Sequence, residues 1–205
     1  MSALSRVYVV DDDDQMRRLL SRQLQADYDV MCFAAARHFL DVASALTVGC
    51  LILDVNMPEI NGLEVQRGLA ERSLHFPTIM ITGQGEVDIA VQAMKAGAVD
   101  FVQKPFTRET ILGSVRLAQQ HLTPADVGYE NAELAKTRLA RLSAREVQVL
   151  TGLVAGLPNK TIAYDLGLSP RTVEVHRANV MKKMEVASLS ALVRVALAAG
   201  IQSRS

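Results

Sequence analysis

Short apolar runs alternate with amphipathic segments over residues 6–121. Five of the runs lack the polar alternation of a half-exposed strand, which is typical of parallel strands covered on both faces. We predict these strands at residues 6–10, 30–33, 50–54, 78–81 and 99–103. Between them, apolar residues recur at spacings of three and four, which predicts helices over 15–26, 35–43, 61–72, 86–96 and 108–121. The alternation predicts a doubly wound α/β fold with a five-stranded parallel sheet.

The pattern changes to helices alone toward the C-terminus. We predict four short helices over residues 143–156, 159–166, 169–184 and 188–200. Ser143, Asn159 and Ser169 are N-cap candidates, and Ser143 forms a capping-box pattern with Glu146. A tight turn at Gly167 joins the second and third helices, which indicates an all-α helix-turn-helix domain.

The segment between the two patterns contains Pro124 and Gly128, which end the preceding helix. Residues 129–142 then have helical spacing. We predict three parts: a domain over 1–122, a partly helical linker over 123–141 and a second domain over 142–205. The linker is interpreted as a signalling helix, a helix that packs on a partner, or a flexible tether, and the sequence leaves these three readings open.

Charge is distributed unevenly, although the whole chain has 22 basic and 22 acidic residues. Residues 1–124 contain 11 Lys or Arg against 15 Asp or Glu, a net charge of 11 − 15 = −4. Residues 143–205 contain 8 against 4, a net charge of +4. This asymmetry favours contact of the second domain alone with a polyanion, although chance could also produce it.

Targeting and redox features indicate a cytoplasmic protein. No apolar stretch reaches the ~20 residues of a membrane span, and the N-terminal strand is too short for a signal peptide. Cys32 and Cys50 both lie in apolar runs, so we expect two small buried side chains rather than a disulfide or a metal pair.

Polar residues follow four of the predicted strands at the point where each ends. Asp11 and Asp12 follow the first strand, Asp54 ends the third, Thr82 ends the fourth and Lys104 follows the fifth. Carboxyl ends of parallel strands meet at one edge of the sheet, where ligands bind. Clustered carboxylates suit Mg²⁺, and a carboxylate can attack phosphorus. Lys104 and Thr82 would then bind the phosphoryl oxygens. On its own, a strand-end Asp is also a common turn residue.

Four motifs resemble the receiver domain of two-component response regulators: residues 10–12, 53–58, 81–83 and 104–106. The resemblance implies that Asp54 accepts a phosphoryl group from a phosphohistidine on a sensor histidine kinase. It also implies Mg²⁺ bound by Asp12, Asp54 and the backbone carbonyl of Asn56, with Asp11 acting partly through water, and a cis bond between Lys104 and Pro105.

Further details come from the same resemblance. Phe101 matches the aromatic switch residue that moves inward when the Thr82 hydroxyl moves to the phosphate, although Phe101 alone would be interpreted as strand core. Residues 82–87 and 93–98 resemble the FixJ-like branch, which usually has His where this chain has Gln84. We hypothesise that Asn56 and Gln84 adjust the lifetime of the phosphate.

Residues 142–146, 156–160, 162–163 and 169–177 resemble the LuxR/NarL-type DNA-binding domain, most of all in its FixJ-like members. This implies sequence-specific binding of double-stranded promoter DNA as a homodimer, with the helix over 188–199 forming the dimer contact. The alternative is a four-helix bundle with a solvated basic face.

Candidate DNA contacts lie on the two helices of the helix-turn-helix. Lys160 and Thr161 suit phosphate contacts at a helix start. Glu174 could accept from a cytosine amine and Val175 could contact a thymine methyl group. Glu174, Val175 and Ala178 lie where the family resemblance places base contacts. Because the alanine side chain is small, we take Arg177 as the candidate in place of Ala178. The full set of candidates is Lys160, Thr161, Ser169, Arg171, Thr172, Glu174, Val175, His176, Arg177 and Lys182.

These features predict a transcriptional activator that phosphorylation switches on, and that catalyses only its own phosphorylation and dephosphorylation. RNA polymerase is a possible further partner, and no membrane is expected. Receiver dimerisation and release of a masked DNA-binding domain both remain open. One alternative is a DNA-binding or scaffold protein with an unphosphorylated receiver. The other is an aspartyl-phosphate hydrolase, which Asn56 disfavours because such enzymes commonly have an acid two residues after the nucleophile.

Overall fold

The structure is a computed structural model that describes residues 5–83, 87–122 and 130–201. The chain divides into two compact units. Among the described residues, 5–83 and 96–122 belong to the first unit, and 87–95 and 130–201 belong to the second. No helix in the described part of the chain is long and apolar enough to cross a membrane.

The first unit is built on a parallel sheet with strand order β2-β1-β3-β4-β5. The strands are β1 (Arg6–Val10), β2 (Asp29–Phe33), β3 (Cys50–Asp54), β4 (Thr78–Thr82) and β5 (Asp100–Gln103). Every residue of β3 and β4 is buried, as the unbroken apolar runs predicted. The doubly wound fold class is confirmed.

Helices follow each strand in the chain. They are α1 (Asp14–Leu24), α2 (Ala36–Val42), α3 (Gly62–Glu71), α4 (Val87–Lys95) and α5 (Arg108–Gln119), and a 3₁₀ turn at Ala43–Ala45 extends α2. Side chains cap three of the helices: Asp13 caps α1, Asn61 caps α3 and Thr107 caps α5. By its contacts, α4 groups with the second unit.

One prediction about the sheet is wrong, because Cys32 is exposed while Cys50 is fully buried. Cys32 lies on β2, which pairs with β1 alone among the described strands and is therefore the edge strand of this sheet. Three of its five residues are exposed. Cys50 lies on β3 in the interior of the sheet, where helices cover both faces. Strand order decides the difference, and an apolar run alone does not reveal strand order.

The second unit contains five further helices around a separate core. They are α6 (Glu130–Leu139), α7 (Ala144–Val154), α8 (Asn159–Leu166), α9 (Pro170–Lys183) and α10 (Leu189–Ala198). Buried residues from α7 to α10 share one hydrophobic cluster, which includes Leu150, Ile162, Val180 and Leu192.

The helix boundaries follow the predicted caps with one exception. The capping box of Ser143 and Glu146 is present, Ser169 caps α9 with Pro170 at the first position, and Ser188 caps α10. Asn159 does not cap α8. It is the first residue of that helix, and Pro158 occupies the cap position without a side-chain bond. Proline fixes φ at a value that suits the residue before a helix. The helix therefore begins one residue earlier than the cap prediction implied.

The predicted linker helix is present as α6, three residues shorter at its C-terminal end than expected. Ala135 is buried, and Leu139 and Leu142 pack against the core of the second unit. Arg138 and Arg141 both form ion pairs with Glu185, which follows α9. The contacts attach α6 to the second unit, which disfavours a flexible tether, and the readings as a signalling helix or as a helix that packs on a partner stay predictions.

Candidate functional site

Three carboxylates meet at the carboxyl edge of the sheet. Asp11 follows β1, Asp12 is next to it and Asp54 ends β3. One ligand oxygen from each lies within 4.8 Å of the others. Asp11 and Asp54 are buried and Asp12 is exposed, so the cluster is open on one side. Neighbouring strands bring these residues together because Val10 on β1 pairs with Leu53 on β3.

Lys104 completes the cluster from the other side. It directly follows β5, and its Nζ donates to Asp54 Oδ1 at 2.7 Å and to Asp11 Oδ2 at 3.4 Å. Its backbone N–H donates to the carbonyl of Thr82, which ends β4. The peptide bond between Lys104 and Pro105 is cis, as the family resemblance implied. Lys104 therefore spans the distance between β5 and the acidic strand ends.

Burial perturbs the ionisation of this cluster. Desolvation raises the pKa of Asp54, and it raises the pKa of Asp11 in the same way. The hydrogen bonds and charge of Lys104 oppose both shifts without cancelling them. Burial lowers the pKa of Lys104, but the hydrogen bond and charge of Asp54, together with those of Asp11, outweigh burial, so the net direction is upward. The carboxylates thus lack enough positive charge nearby to offset their desolvation.

The donor set fits a hard divalent cation. With three carboxylates and one lysine, the formal charge is −3 + 1 = −2, which one such ion would balance. Mg²⁺ is commonly held by a few carboxylates and retains several waters, and the exposed side of Asp12 leaves room for them. The residues therefore fit the cofactor that the sequence predicted.

The remaining receiver candidates lie on β4, on β5 and directly after β3. Thr82 is buried at the end of β4, and Phe101 is half-buried on β5, where it pairs with Met80. Asn56 is exposed two residues after Asp54. Gln84, the other residue of our phosphate-lifetime hypothesis, lies outside the described residues.

A glycine fixes the backbone behind the acceptor. Gly62 begins α3, and a Cβ atom on it would lie 2.5 Å from the carbonyl oxygen of Asp54, too close for any side chain. Its N–H donates to the carbonyl of Val55 at 3.0 Å. This close approach holds the start of α3 against the end of β3, a role that sequence reasoning missed because it depends on long-range packing.

The second candidate site is the helix pair α8 and α9 with the turn between them. Gly167 ends α8 with φ = 64°, the left-handed conformation that glycine adopts readily. The Ser169 hydroxyl then accepts from the N–H of Thr172 at the start of α9. Val173 and Val180 bury one face of α9. The predicted helix-turn-helix geometry is present.

The opposite face of α9 is exposed, and we call it the reading face. Its members recur at spacings of three and four, so they lie along one side of the helix. They are Arg171, Glu174, Val175, Ala178, Asn179 and Lys182. Val175 is 56% exposed, which is unusual for a large apolar side chain and leaves it available for contact. Asn179 was missed at the sequence level, although its spacing of four from Val175 was a sufficient signal.

Two of the predicted DNA-contacting residues are less exposed than the residues of the reading face. His176 and Arg177 are half-buried, and each is three or four residues from both Val173 and Val180 on the buried face. The Nδ1 atom of His176 is enclosed without a hydrogen-bond partner. Thr172 is half-buried as well and lies 2.8 Å from the Ser169 hydroxyl, whereas Lys160, Thr161 and Ser169 are exposed.

Comparison with known proteins matches two successive ranges of the chain to families. Residues 7–116 match the response regulator receiver domain, and residues 140–196 match the bacterial regulatory proteins of the luxR family. The transcriptional regulatory protein FixJ of Rhizobium meliloti is 48% identical over 195 residues, 95% of this chain and 96% of that protein. The response regulator protein TmoT of Ectopseudomonas mendocina is 44% identical, over 93% of this chain and 87% of that protein.

A solved structure is similar over nearly the whole length. The crystal structure of full-length FixJ from B. japonicum has a TM-score of 0.59 and 43% identity, and the match covers 98% of this chain and 100% of that one. The two family matches fall in the order that the apolar and charge patterns predicted. The linker helix α6 lies between the two matched ranges.

Proposed function

This chain belongs to the response regulators that join a receiver domain to a LuxR-family DNA-binding domain, and on that premise we propose that phosphorylation of Asp54 controls its binding to promoter DNA. The observation that carries the proposal is the contact of Lys104 Nζ with Asp54 Oδ1 at 2.7 Å, inside a pocket of three carboxylates. A strand-end carboxylate that is buried, paired with lysine and open to a cation has the properties of a phosphoryl acceptor.

In the proposed reaction a carboxylate oxygen of Asp54 attacks the phosphorus of a phosphohistidine on a sensor histidine kinase. The new P–O bond forms as the P–N bond breaks, and the imidazole nitrogen keeps the electron pair. Lys104 shifts from the Asp54 carboxylate to a phosphoryl oxygen, and the hydroxyl of Thr82 donates to another. Asp54 is the nucleophile, while Lys104 and Thr82 stabilise the transferred charge.

Asp11, Asp12, Asp54 and the backbone carbonyl of Asn56 would hold Mg²⁺. When bound, the ion offsets the repulsion between these carboxylates and an anionic phosphoryl donor. Asp11 already forms hydrogen bonds to the N–H of Asp13 and to Lys104, so it contributes fixed negative charge and acts partly through water.

The phosphoryl group adds charge at a buried strand end. When the Thr82 hydroxyl turns toward it, Phe101 on the neighbouring strand fills the space that Thr82 leaves. The register of the sheet supports this coupling, since Thr82 and Phe101 lie on adjacent paired strands, β4 and β5. The surface of the receiver near Thr82 and Phe101 then switches between an unphosphorylated and a phosphorylated conformation.

DNA contact is assigned to the reading face of α9, with α8 on the phosphates. Arg171, Glu174, Val175 and Asn179 face the base edges, and Lys160, Thr161, Ser169 and Lys182 face the backbone. Thr172, His176 and Arg177 are less exposed. They lie along the sides of α9, between its buried face and the reading face, and help to hold the helix in place. The protein acts on DNA as a homodimer in the cytoplasm, where it contacts the kinase and RNA polymerase and activates transcription.

Footprinting tests the proposal. Sites are first selected from random DNA by the full chain treated with acetyl phosphate and Mg²⁺. The treated protein is expected to protect these sites at lower concentration than the untreated protein. Asp54→Asn is expected to give the same footprint with and without the phosphodonor. An Asp54→Asn protein that responds as the parent does would exclude Asp54 as the acceptor.

A further inference from the structure

Arg17 on α1 holds the acidic loop that follows β1. Its Nη1 donates to the backbone carbonyls of Asp11 at 2.8 Å and Asp12 at 2.9 Å, and its Nη2 donates to Asp14 Oδ1 at 3.1 Å. The side chain is only 16% exposed. One guanidinium group therefore binds three oxygens within four consecutive aspartates.

Two of these oxygens belong to residues whose carboxylates form the metal pocket. The Asp11 carboxylate is fixed separately, since its Oδ1 accepts from the N–H of Asp13 at 2.8 Å. With both carbonyls bound to Arg17, the two peptide planes have little freedom to rotate. The carboxylates of Asp11 and Asp12 consequently remain on the side of Asp54, within 4.8 Å of one another.

Charge adds to the geometric effect. Four adjacent carboxylates repel one another, and their repulsion would spread the loop in the absence of a cation. The guanidinium group supplies a permanent positive charge next to the loop, and its planar fork of donors can reach several oxygens at once. A lysine at the same position would keep the charge but not the fork.

We infer that Arg17 is a positioning residue for the metal pocket: it fixes the loop of Asp11 and Asp12 so that Mg²⁺ meets carboxylates that are already assembled. The inference rests on the proposed function, to which the metal site belongs. Without Arg17, part of the binding free energy of the ion is used to order the loop, and affinity falls. Outer partners of metal ligands typically contribute roughly 10-fold to 100-fold in affinity.

Calorimetric titration of the full chain with Mg²⁺ measures the effect. Arg17→Gln is expected to weaken Mg²⁺ binding by about 10-fold or more, and Arg17→Lys is expected to weaken it less. Arg18→Gln is the matched control, because Arg18 is 74% exposed and, among the residues that the structure describes, its one ion pair is with Asp14, at 2.7 Å. It removes the same charge from the same turn of α1 and should leave the affinity unchanged.

A second readout separates positioning from general damage. In phosphorylation by acetyl phosphate, Arg17→Gln should raise the Mg²⁺ concentration needed for half-maximal rate while leaving the rate at saturating Mg²⁺ near that of the parent. Loss of the maximal rate with an unchanged Mg²⁺ requirement would overturn the inference. If Arg17→Gln does not fold, the same comparison is made with Arg17→Lys.

Asp12→Asn distinguishes failure of the inference from failure of the proposed site. If Asp12→Asn binds Mg²⁺ as the parent does, the proposed metal site itself is wrong. If Asp12→Asn loses binding but Arg17→Gln matches Arg18→Gln, the site stands and Arg17 has no positioning role.

Discussion

Lys183 Nζ lies 2.7 Å from Glu146 Oε2 and so joins the last turn of α9 to the first turn of α7. Glu146 is only 4% exposed, and its carboxylate also accepts from the N–H and hydroxyl of Ser143. One buried carboxylate therefore caps α7 and holds the end of the helix that carries the reading face. The angle of α9 against the rest of the unit depends in part on this pair.

The first prediction concerns the pH dependence of this contact. The hydrogen bond from Lys183, followed by that from the Ser143 backbone, lowers the pKa of Glu146 to about 2. An unfolded glutamate titrates near 4.3, so the stabilisation is complete above that pH and is lost as pH falls toward about 2. Glu146→Gln should lower the unfolding midpoint of the second unit at pH 7 by roughly 4–8 °C for each 1 kcal/mol lost, and the deficit should shrink in acid.

Calorimetry from pH 7 to pH 2.5 measures the thermal unfolding midpoints of the parent and of Glu146→Gln. Glu174→Gln, which removes an exposed carboxylate from α9, is the control and should follow the parent at every pH. Parallel curves for Glu146→Gln and the parent would contradict the assignment.

Much of the receiver site could be predicted because its residues adjoin the strands in sequence. Asp54 directly continues the run that begins at Cys50, and Lys104 directly continues β5. Once the runs are assigned as parallel strands, the topology requires their carboxyl ends to meet. Local sequence therefore carried nearly all the information needed for the acidic cluster.

The features that could not be predicted depend on packing between distant segments. Glu146 and Lys183 are 37 residues apart, and their contact requires the crossing of α7 and α9. The exposure of Cys32 depends on β2 being the edge strand. The half-buried position of Arg177 and the exposure of Asn179 likewise depend on how α9 packs against the neighbouring helices, which residue type alone does not reveal.

The second prediction concerns the ionisation of Asp54. The Lys104 hydrogen bond and charge hold the pKa of Asp54 down against the larger effect of burial. Lys104→Gln should therefore raise the pKa of Asp54 further, so that the carboxylate titrates at a higher pH than in the parent. The side-chain carboxyl carbon shift of Asp54, followed by NMR in metal-free buffer, measures this directly. Lys104→Arg retains the charge and should shift the titration less; equal titration in all three proteins would refute the coupling.

The third prediction concerns Asn179. An asparagine can bind the N6 and N7 positions of adenine through two hydrogen bonds, and such a pair is worth about 1–3 kcal/mol of discrimination. Asn179→Ala should weaken binding to the selected site by roughly 5-fold to 150-fold and relax the preference at one base position. Selection from random DNA, repeated with the variant, identifies that position.

Lys182→Gln is the control for this experiment, because a phosphate contact carries no base preference. It should weaken binding to all sequences about equally and reduce the salt dependence. An Asn179→Ala protein with the parental base preference at every position would remove Asn179 from the reading contacts.

The fourth prediction concerns the linker helix α6. Arg138 and Arg141 pair with Glu185 at 2.8 and 2.6 Å, and the first of these arginines is mostly buried. Exposed ion pairs contribute little individually, but two arginines on one carboxylate fix the C-terminal end of α6 beside the end of α9. Glu185→Gln should therefore increase hydrogen exchange in residues 132–139 more than in α7.

Lys136→Gln is the control, because it breaks the local pair of Lys136 with Glu133 within α6 and should not have this effect. Equal exchange in the two variants would show that apolar packing alone holds the linker helix in place.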